Sequence, residues 1–145
     1  MIRLAVPSDV AAITAIASAS FAHYVPRIGQ PPAPMVADYA ELVSSGGAYV
    51  FEDELILGYL VLEVLDDAML LDIVAVSPEA QGRGVGKALM VFAENQTCAA
   101  GSSAIRLYTN ALMHENVGLY GKIGYVETGR KTENGFDRIY MEKQL

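Results

Sequence analysis

The sequence predicts an α/β domain in which a mixed β-sheet is covered by helices on both faces. Apolar segments with strand or helix periodicity follow one another in the order strand, two helices, three strands, helix, strand, helix and two strands. The chain has 145 residues, the size of one ordinary domain, and no internal repeat, low-complexity tract or linker divides it. We therefore expect residues 1–145 to form a single domain.

The N-terminal part is expected to contain one strand and two helices. Ile2–Val6 has the composition of a strand, and Pro7 to Asp9 then give the proline and capping signals of a helix that runs to about Phe21. Four prolines and a glycine interrupt the pattern between His23 and Met35, which predicts a loop. Helical spacing resumes over Met35–Leu42.

Five further strands follow that helix, and a sixth lies near the C-terminus. Two glycines end the helix, and an acidic turn separates the next two strands, which together favour a hairpin. A polar turn with Asn134 and Gly135 precedes the last strand. The clearest of these segments are Ala48–Glu52, Leu55–Leu65, Met69–Val76, Ala104–Thr109, a strand starting at Tyr125 and Val126, and Phe136–Met141.

The stretch Leu70–Ala88 carries the strongest functional signal. Its apolar strand should stop at Ser77 and Pro78, because proline gives no N–H to a sheet. Glycines at 82, 84 and 86 follow, and Val85, Leu89 and Phe92 then recur at helical spacing. Free N–H groups at such a helix start, the helix dipole and the missing Cβ atoms all favour a phosphate group. The segment therefore predicts a pyrophosphate site.

Two familiar phosphate-binding patterns do not fit these residues. A Walker loop needs a glycine five residues before its Gly-Lys pair and Ser or Thr after it, whereas Gln81 and Ala88 stand at those places. The dinucleotide fingerprint needs a third glycine three positions after the second, where this chain has Lys87 or Leu89. An ATP- or NAD-dependent enzyme is disfavoured. The alternative that the glycines only make a tight turn stays open on this motif alone.

What remains is Gln-x-x-Gly-x-Gly after a strand, which resembles the acyl-CoA motif of the GNAT-type N-acetyltransferases. A second segment, Asn116–Tyr125, is similar to the part of that family with an asparagine, a Leu-Tyr pair and a glycine before an aromatic residue. Asn116 and Tyr120 lie four apart and share one helix face, and Gly124 can end the helix. Tyr120 could also be an ordinary core tyrosine.

The resemblance implies the fold and the reaction. It implies a mostly antiparallel mixed sheet of about six or seven strands, in which Met69–Val76 and Ala104–Thr109 are parallel and splay apart. It also implies direct transfer of an acetyl group from acetyl-CoA, the cosubstrate, to a small-molecule or peptide amine, in a monomer or a homodimer. No metal site is predicted. A CoA-binding regulatory or scaffold domain without catalysis is the alternative.

The resemblance also implies roles for individual residues. Tyr120 is the expected proton donor to the departing thiolate, and Asn116 would bond the pantetheine arm or order a water. A backbone N–H at Val74 or Val76 would polarise the thioester carbonyl. The residues expected to hold the cosubstrate are Val74, Ala75, Val76, Gln81, Gly82, Arg83, Gly84, Val85, Gly86, Lys87 and Asn116.

The base that takes the amine proton is less well defined by the sequence. Asp72 interrupts an apolar strand, where it is expected to share a face with Leu70, Val74 and Val76, so it is our candidate catalytic base or ammonium ligand. A strand-end carboxylate satisfied by a neighbour is the competing interpretation. Glu63, His23 and Tyr108 are weaker candidates for the same role.

Composition restricts the partners and the location. The net charge is -7 and no basic run is present, so nucleic acid is not an expected ligand. No secretory signal or membrane-length apolar run is found, which favours a cytoplasmic protein without membrane contact. The single cysteine, Cys98, excludes an internal disulfide and is expected to be an inert, packed thiol. The acceptor is not identified, although residues 21–35 and 63–67 should wall its side of the cleft.

Overall fold

The computed structural model describes residues 1–145, which form one seven-stranded sheet with helices on both faces. The strands are β1 (Ile2–Leu4), β2 (Ala48–Asp53), β3 (Leu55–Val64), β4 (Met69–Val76), β5 (Ala104–Asn110), β6 (Val126–Glu133) and β7 (Phe136–Gln144). The helices are α1 (Val10–Phe21), α2 (Val25–Ile28), α3 (Ala33–Val36), α4 (Tyr39–Ser44), α5 (Val85–Ala99) and α6 (His114–Lys122). All predicted strands are present, with ends that differ by up to three residues.

The strand order is β1-β2-β3-β4-β5-β7-β6, and only the central pair, β4 and β5, is parallel. This confirms the predicted mixed, mostly antiparallel sheet with one parallel pair. The polar turn at Asn134 and Gly135 joins β6 to β7, with both residues at positive φ (52° and 81°) as a two-residue hairpin turn requires. No helix has the length and apolarity needed to cross a lipid bilayer.

The core has one layer on each face of the sheet. On one face, α1 and α4 cover Tyr59, Val61 and Ile73. On the other face, α5 covers Leu60 and Leu71. Neighbouring residues of β3 thus enter opposite layers, as the pleat of a strand requires. We call these the α1 layer and the α5 layer.

A β-bulge in β4 changes which side chains enter each layer. Val61 lies opposite Ile73 and Leu62 lies opposite Leu71, so β4 has one extra residue, Asp72, at this point. Leu71 therefore belongs to the α5 layer although Ile73, two residues later, belongs to the α1 layer. A regular strand would have placed both on one face.

The bulge makes one sequence prediction wrong. Asp72 does not share a face with Val74 and Val76, since those two valines pack against the α5 layer. The Asp72 carboxylate lies instead near the buried phenols of Tyr39 and Tyr59 in the α1 layer. Burial raises the pKa of both phenols, and the charge on Asp72 raises them further.

The segment between α1 and β2 also differs from the prediction. The expected loop from His23 to Met35 contains α2 and α3, each one turn long, with proline in the first turn where its missing N–H costs nothing. The predicted helix over Met35–Leu42 is wrong. Ala37 is extended (ψ 150°), and the helix begins only at Tyr39 because the Asp38 carboxylate accepts a bond from the Glu41 N–H at 3.1 Å.

A buried carboxylate joins β1 to the start of α1. Asp9 accepts two hydrogen bonds from the Arg3 guanidinium, at 2.8 and 3.0 Å, and one from the Val6 N–H at 2.8 Å. These bonds, those from Arg3 above all, hold the pKa of Asp9 below its ordinary value of 3.8. A lowered pKa in the folded state stabilises the fold at higher pH, and this contribution disappears as the pH falls through the folded pKa.

We expect Asp9→Asn to lower the free energy of unfolding by about 1–3 kcal/mol at neutral pH, because Arg3 loses the more buried of its two carboxylate partners and keeps only Glu52. The difference from wild type should shrink as the pH is lowered below about 4, where wild-type Asp9 also loses its charge. Urea unfolding at several pH values measures this. Asp53→Asn, at an exposed carboxylate that ends β2, is the control and should behave like wild type.

Candidate active site

The two parallel strands separate at the centre of the sheet. Their pairing runs from Met69 and Ile105 only as far as Leu71 and Leu107, although β4 continues to Val76 and β5 to Asn110. A cavity of about 320 Å³ lies at this divergence. We call it the central cavity. Its wall includes Asp72 and Val74 of β4, Tyr108 and Asn110 of β5, Asn116 and Tyr120 of α6, and Arg138 of β7.

The backbone of β4 is available on the side of the gap. The Ser77 N–H donates to the Leu57 carbonyl of β3 at 2.8 Å, so by alternation the polar groups of Ala75 also face β3. Those of Val74 and Val76 face the gap, and the Val76 carbonyl accepts the Ser20 hydroxyl at 2.9 Å. The geometry suits the role expected of Val74 and Val76, whereas Ala75 is buried in the α1 layer.

Beyond β4, residues Gln81–Lys87 form what we call the anion-binding loop. Gly82 and Gly84 have φ of 81° and 84°, and a Cβ at either position would meet no atom within 4 Å. Helix α5 begins at Val85, so Gly82 and Gly84 precede the helix, whereas Gly86 and Lys87 belong to its first turn. Arg83 donates its N–H to the Ala80 carbonyl at 3.3 Å.

Gln81 donates its N–H to the Pro78 carbonyl at 3.5 Å, and the remaining N–H groups of the loop have no acceptor in the protein. They belong to Gly82, Gly84, Val85, Gly86 and Lys87. The loop is exposed apart from Val85 and the partly buried Gly86. Several free donors at the positive end of a 15-residue helix are what an anion requires. The Gln81 amide lies 3.5 Å from the Val76 carbonyl, between the loop and the gap.

Gly58 allows α5 to pack closely on the sheet beside the site, and the sequence analysis missed it. A Cβ there would lie 3.0 Å from the Ala75 carbonyl oxygen, and 3.1 Å from both Leu89 and Val85 of α5. The missing side chain lets α5 approach β3 and β4 closely, which places its N-terminus beside the end of β4. A glycine within an apolar strand is the signal that could have indicated this close approach.

Tyr120 and Asn116 reach the central cavity from α6, on the shared helix face that their spacing predicted. The Tyr120 ring packs edge-on against Tyr125 with centroids 5.9 Å apart, and its hydroxyl makes no hydrogen bond to the protein. Burial raises the pKa of Tyr120 to about 12, so the phenol keeps its proton at neutral pH. The Asn116 amide donates to the Met113 sulfur at 3.6 Å.

Of the candidate bases, the structure brings Asp72 and Tyr108 together. The Tyr108 hydroxyl donates to Asp72 at 2.5 Å, and both side chains line the central cavity. Burial and the bond to Asp72 raise the pKa of Tyr108, so its hydroxyl stays protonated at neutral pH and cannot take up the amine proton. Glu63 and His23 are exposed and do not line the cavity.

Arg27 and Cys98 do not line the central cavity. Arg27, in the loop expected to wall the acceptor side, pairs with Glu115 at 2.7 Å and also donates to the Leu112 carbonyl at 3.0 Å, so it ties α2 to α6. Cys98 is exposed near the C-terminal end of α5, not packed. The prediction of a packed thiol is wrong because Thr97, next to it, occupies the buried face of the helix and donates its hydroxyl to the Ala93 carbonyl.

Comparison with known proteins identifies this arrangement. The family model described as "Acetyltransferase (GNAT) domain" matches residues 44–127, which is more than half of the chain and includes the gap, the loop and α6. The chain belongs to the GNAT acetyltransferase family. The resemblance carried by the two sequence motifs is confirmed.

Solved GNAT structures share the complete fold. A GCN5-related N-acetyltransferase from Rhodopseudomonas palustris superposes with a TM-score of 0.80 at 24% identity, over 100% of this chain and 95% of that one. The ribosomal-protein-S18-alanine N-acetyltransferase of Escherichia coli gives 0.76 at 19% identity, over 99% and 92%. The PaiA N-acetyltransferase of Thermoplasma acidophilum, solved with coenzyme A, gives 0.77 at 18% identity, over 100% and 98%.

One curated relative is more similar in sequence over a shorter stretch. A mycothiol acetyltransferase from Paenarthrobacter aurescens (strain TC1) is 44% identical over 54 residues, which are 37% of this chain and 17% of that protein. The match thus covers about a sixth of the relative's length.

The anion-binding loop can be tested with two glycines at opposite ends of α5. Gly84 precedes the helix and Gly101 follows it, both have positive φ (84° and 81°), and both have open space where a Cβ would lie. Alanine at either position should cost about 1–2 kcal/mol of stability, because an L residue is strained there. We expect CoA to raise the melting temperature of wild type and Gly101→Ala, but to have little effect on Gly84→Ala, whose N–H groups are misplaced.

Differential scanning fluorimetry with and without CoA measures both effects. An undiminished CoA shift in folded Gly84→Ala would place the pyrophosphate away from the loop.

Proposed function

We propose that residues 1–145 form one GNAT domain that transfers the acetyl group of acetyl-CoA to an amine by direct attack in a ternary complex, in the cytoplasm. One observation carries the proposal: a single gap in the sheet has free N–H donors beyond one end and a protonated, unpaired tyrosine in its wall. A neutral phenol is what a departing thiolate needs.

The chain has suitable groups for each part of the cosubstrate, which would supply an acetyl group activated as a thioester. The free N–H groups of the anion-binding loop suit the pyrophosphate, and the exposed side chains of Arg83 and Lys87 add positive charge. The backbone of Val74 and Val76 suits the amides of the pantetheine arm, and its N–H groups can polarise the thioester carbonyl. The Asn116 amide can bond the same arm.

We assign proton transfer to two side chains in the wall of the cavity. Asp72 takes a proton from the amine, directly or through one water, as the new N–C bond forms. Tyr120 gives its proton to the sulfur as the C–S bond breaks and regains one from solvent, to which Asp72 releases the proton that it took. The products are an N-acetylated amine and CoA with a free thiol, so atoms and charge balance.

Thiol release from acetyl-CoA in the presence of a pooled amine library tests the activity, and calorimetry with CoA tests binding separately. Release that depends on both the pool and the protein is the expected result. CoA binding without turnover on any amine would favour the alternative of a CoA-binding regulatory or scaffold domain.

Tyr120→Phe should lower kcat roughly a hundredfold or more while CoA affinity stays near the wild-type value, because the hydroxyl acts mainly in the transition state. Tyr125→Phe is the matched control. Its ring contacts Tyr120, but its buried hydroxyl has no partner and does not line the central cavity.

Removal of the Tyr125 hydroxyl should therefore leave kcat unchanged and slightly increase thermal stability. If Tyr120→Phe kept most of its turnover on a verified acceptor, Tyr120 would be a packing residue and solvent the proton source.

Asp72→Asn should lower kcat/KM at least about tenfold without weakening CoA binding, since the carboxamide cannot accept the amine proton. Raising the pH should partly restore the rate, because more of the acceptor amine is then neutral in solution. Asp66→Asn, at an exposed carboxylate on the turn between β3 and β4, provides the control. Equal rates for Asp72→Asn and wild type across the pH range would remove Asp72 from the reaction.

A further inference from the structure

An arginine that lacks a close carboxylate partner lies in the wall of the central cavity. The Arg138 side chain is only 13% exposed, and its guanidinium makes no hydrogen bond to a carboxylate, with the Tyr140 hydroxyl as its neighbouring polar partner. Its nearest carboxylate oxygen, on Glu133, is 3.9 Å away and already accepts the Tyr140 hydroxyl, which lies beside the guanidinium. Loss of hydration around a charge costs free energy unless new hydrogen bonds replace it.

Aromatic rings fix Arg138 in this position. Its guanidinium carbon lies 4.5 Å from the ring centroid of Tyr108 and 5.8 Å from that of Phe136. Cation–π contacts hold the planar group without using its N–H donors. The guanidinium is therefore held in place, and most of its five N–H donors are still free to bind an anion.

The negatively charged Asp72 carboxylate lies near the Arg138 guanidinium. The hydroxyl of Tyr108 donates to Asp72 while the ring of the same tyrosine supports Arg138. The three residues lie on β4, β5 and β7, which are neighbours in the sheet. Only one tyrosine side chain and two contacts separate the carboxylate from the guanidinium, so both can reach one small molecule in the central cavity.

We propose that the acceptor is a small amine that also carries a carboxylate, such as a free amino acid, with its amino group toward Asp72 and its carboxylate on Arg138. This rests on the acetyl transfer proposed above and names the substrate class of the same site. A guanidinium can bind a carboxylate through two parallel hydrogen bonds, which gives both affinity and orientation. Orientation aims the nitrogen at the reacting carbonyl.

Polycationic acceptors fit this cavity less well. The cavity edge carries Asp38 and Glu41, but both are exposed, and Asp38 already caps α4. A second ammonium group placed deeper in the cavity would be repelled by the positive charge of Arg138. A peptide N-terminus would bring a neutral carbonyl, not a carboxylate, to the guanidinium. Both classes are outcomes of the experiment below.

The experiment uses matched acceptors and matched variants. Acetyl-CoA turnover is measured with a pool of free amino acids, the corresponding pool of amino acid amides, short peptides with free N-termini, and spermidine. Wild type should prefer the free amino acids over their amides by at least about tenfold in kcat/KM. Arg138→Gln should lose this preference, and Arg138→Lys should keep part of it, since it retains charge but not the paired donors.

Arg130→Gln is the control, because Arg130 is 64% exposed on β6 and does not line the cavity. It should match wild type on every acceptor. The CoA-induced melting shift must persist in all variants, which shows that each is folded and that the cosubstrate site is intact. The proposal would be overturned if wild type used amides or peptides as efficiently as free amino acids, or if it preferred spermidine.

A binding measurement separates this proposal from acetyl transfer itself. Saturation-transfer NMR of the amino acid pool with the CoA-loaded protein should show contacts that Arg138→Gln loses and Arg130→Gln keeps. If no amine is acetylated but this binding is seen, the proposed reaction fails while the assignment of Arg138 stands. The absence of both binding and turnover for amino acids would reject the assignment of Arg138.

Discussion

The end of hydrogen bonding between β4 and β5, after Leu71 and Leu107, is the constraint on which the rest of the site depends. Beyond that point each strand has one edge without a strand partner, and unpaired backbone groups in a protein interior are costly. Each strand keeps its other neighbour: β4 pairs with β3 as far as Val76, and β5 pairs with β7 as far as Asn110. The gap is therefore rigid, and its free backbone groups can bind an extended ligand.

Local irregularities next to this gap give it a cavity lined by ionisable side chains. The bulge at Asp72 points a carboxylate into the α1 layer from a strand whose neighbours are apolar. Above it, the Tyr39 hydroxyl donates to the Pro34 carbonyl at 2.5 Å and accepts from the Tyr59 hydroxyl at 2.7 Å. These bonds fasten α3 and α4 to the sheet, so the short helices can wall the cavity although each has few turns.

The charge distribution is compatible with the proposed anionic cosubstrate although the chain is acidic. With a net charge of -7, the long-range field of the protein does not favour CoA. The anion-binding loop relies instead on short-range donors: unpaired N–H groups before α5, the helix dipole, and the side chains of Arg83 and Lys87. The cavity repeats this pattern, because Arg138 is a single cation within an acidic surrounding.

Local patterns in the sequence determined the strands, the position of the loop and the face of α6. Val85 and Leu89 have helical spacing, Pro78 ends a strand, and Asn116 and Tyr120 are four residues apart. Each of these signals depends only on neighbours along the chain. The family followed from two such motifs. The elements of the proposed cosubstrate side thus follow from local patterns, apart from Gly58.

Tertiary structure alone decided the acceptor side. The face of Asp72 depends on one extra residue relative to a partner strand, and no alternation pattern within β4 reveals it. The break at Asp38 overrode the helical spacing of Met35–Leu42, because a capping carboxylate starts a new helix there. No sequence motif marks Arg138 as a residue of the site. Its position beside Tyr108 and Asp72 depends on β7 returning next to β5, a contact between residues distant in the chain, and only such long-range pairing could place its charge in the cavity.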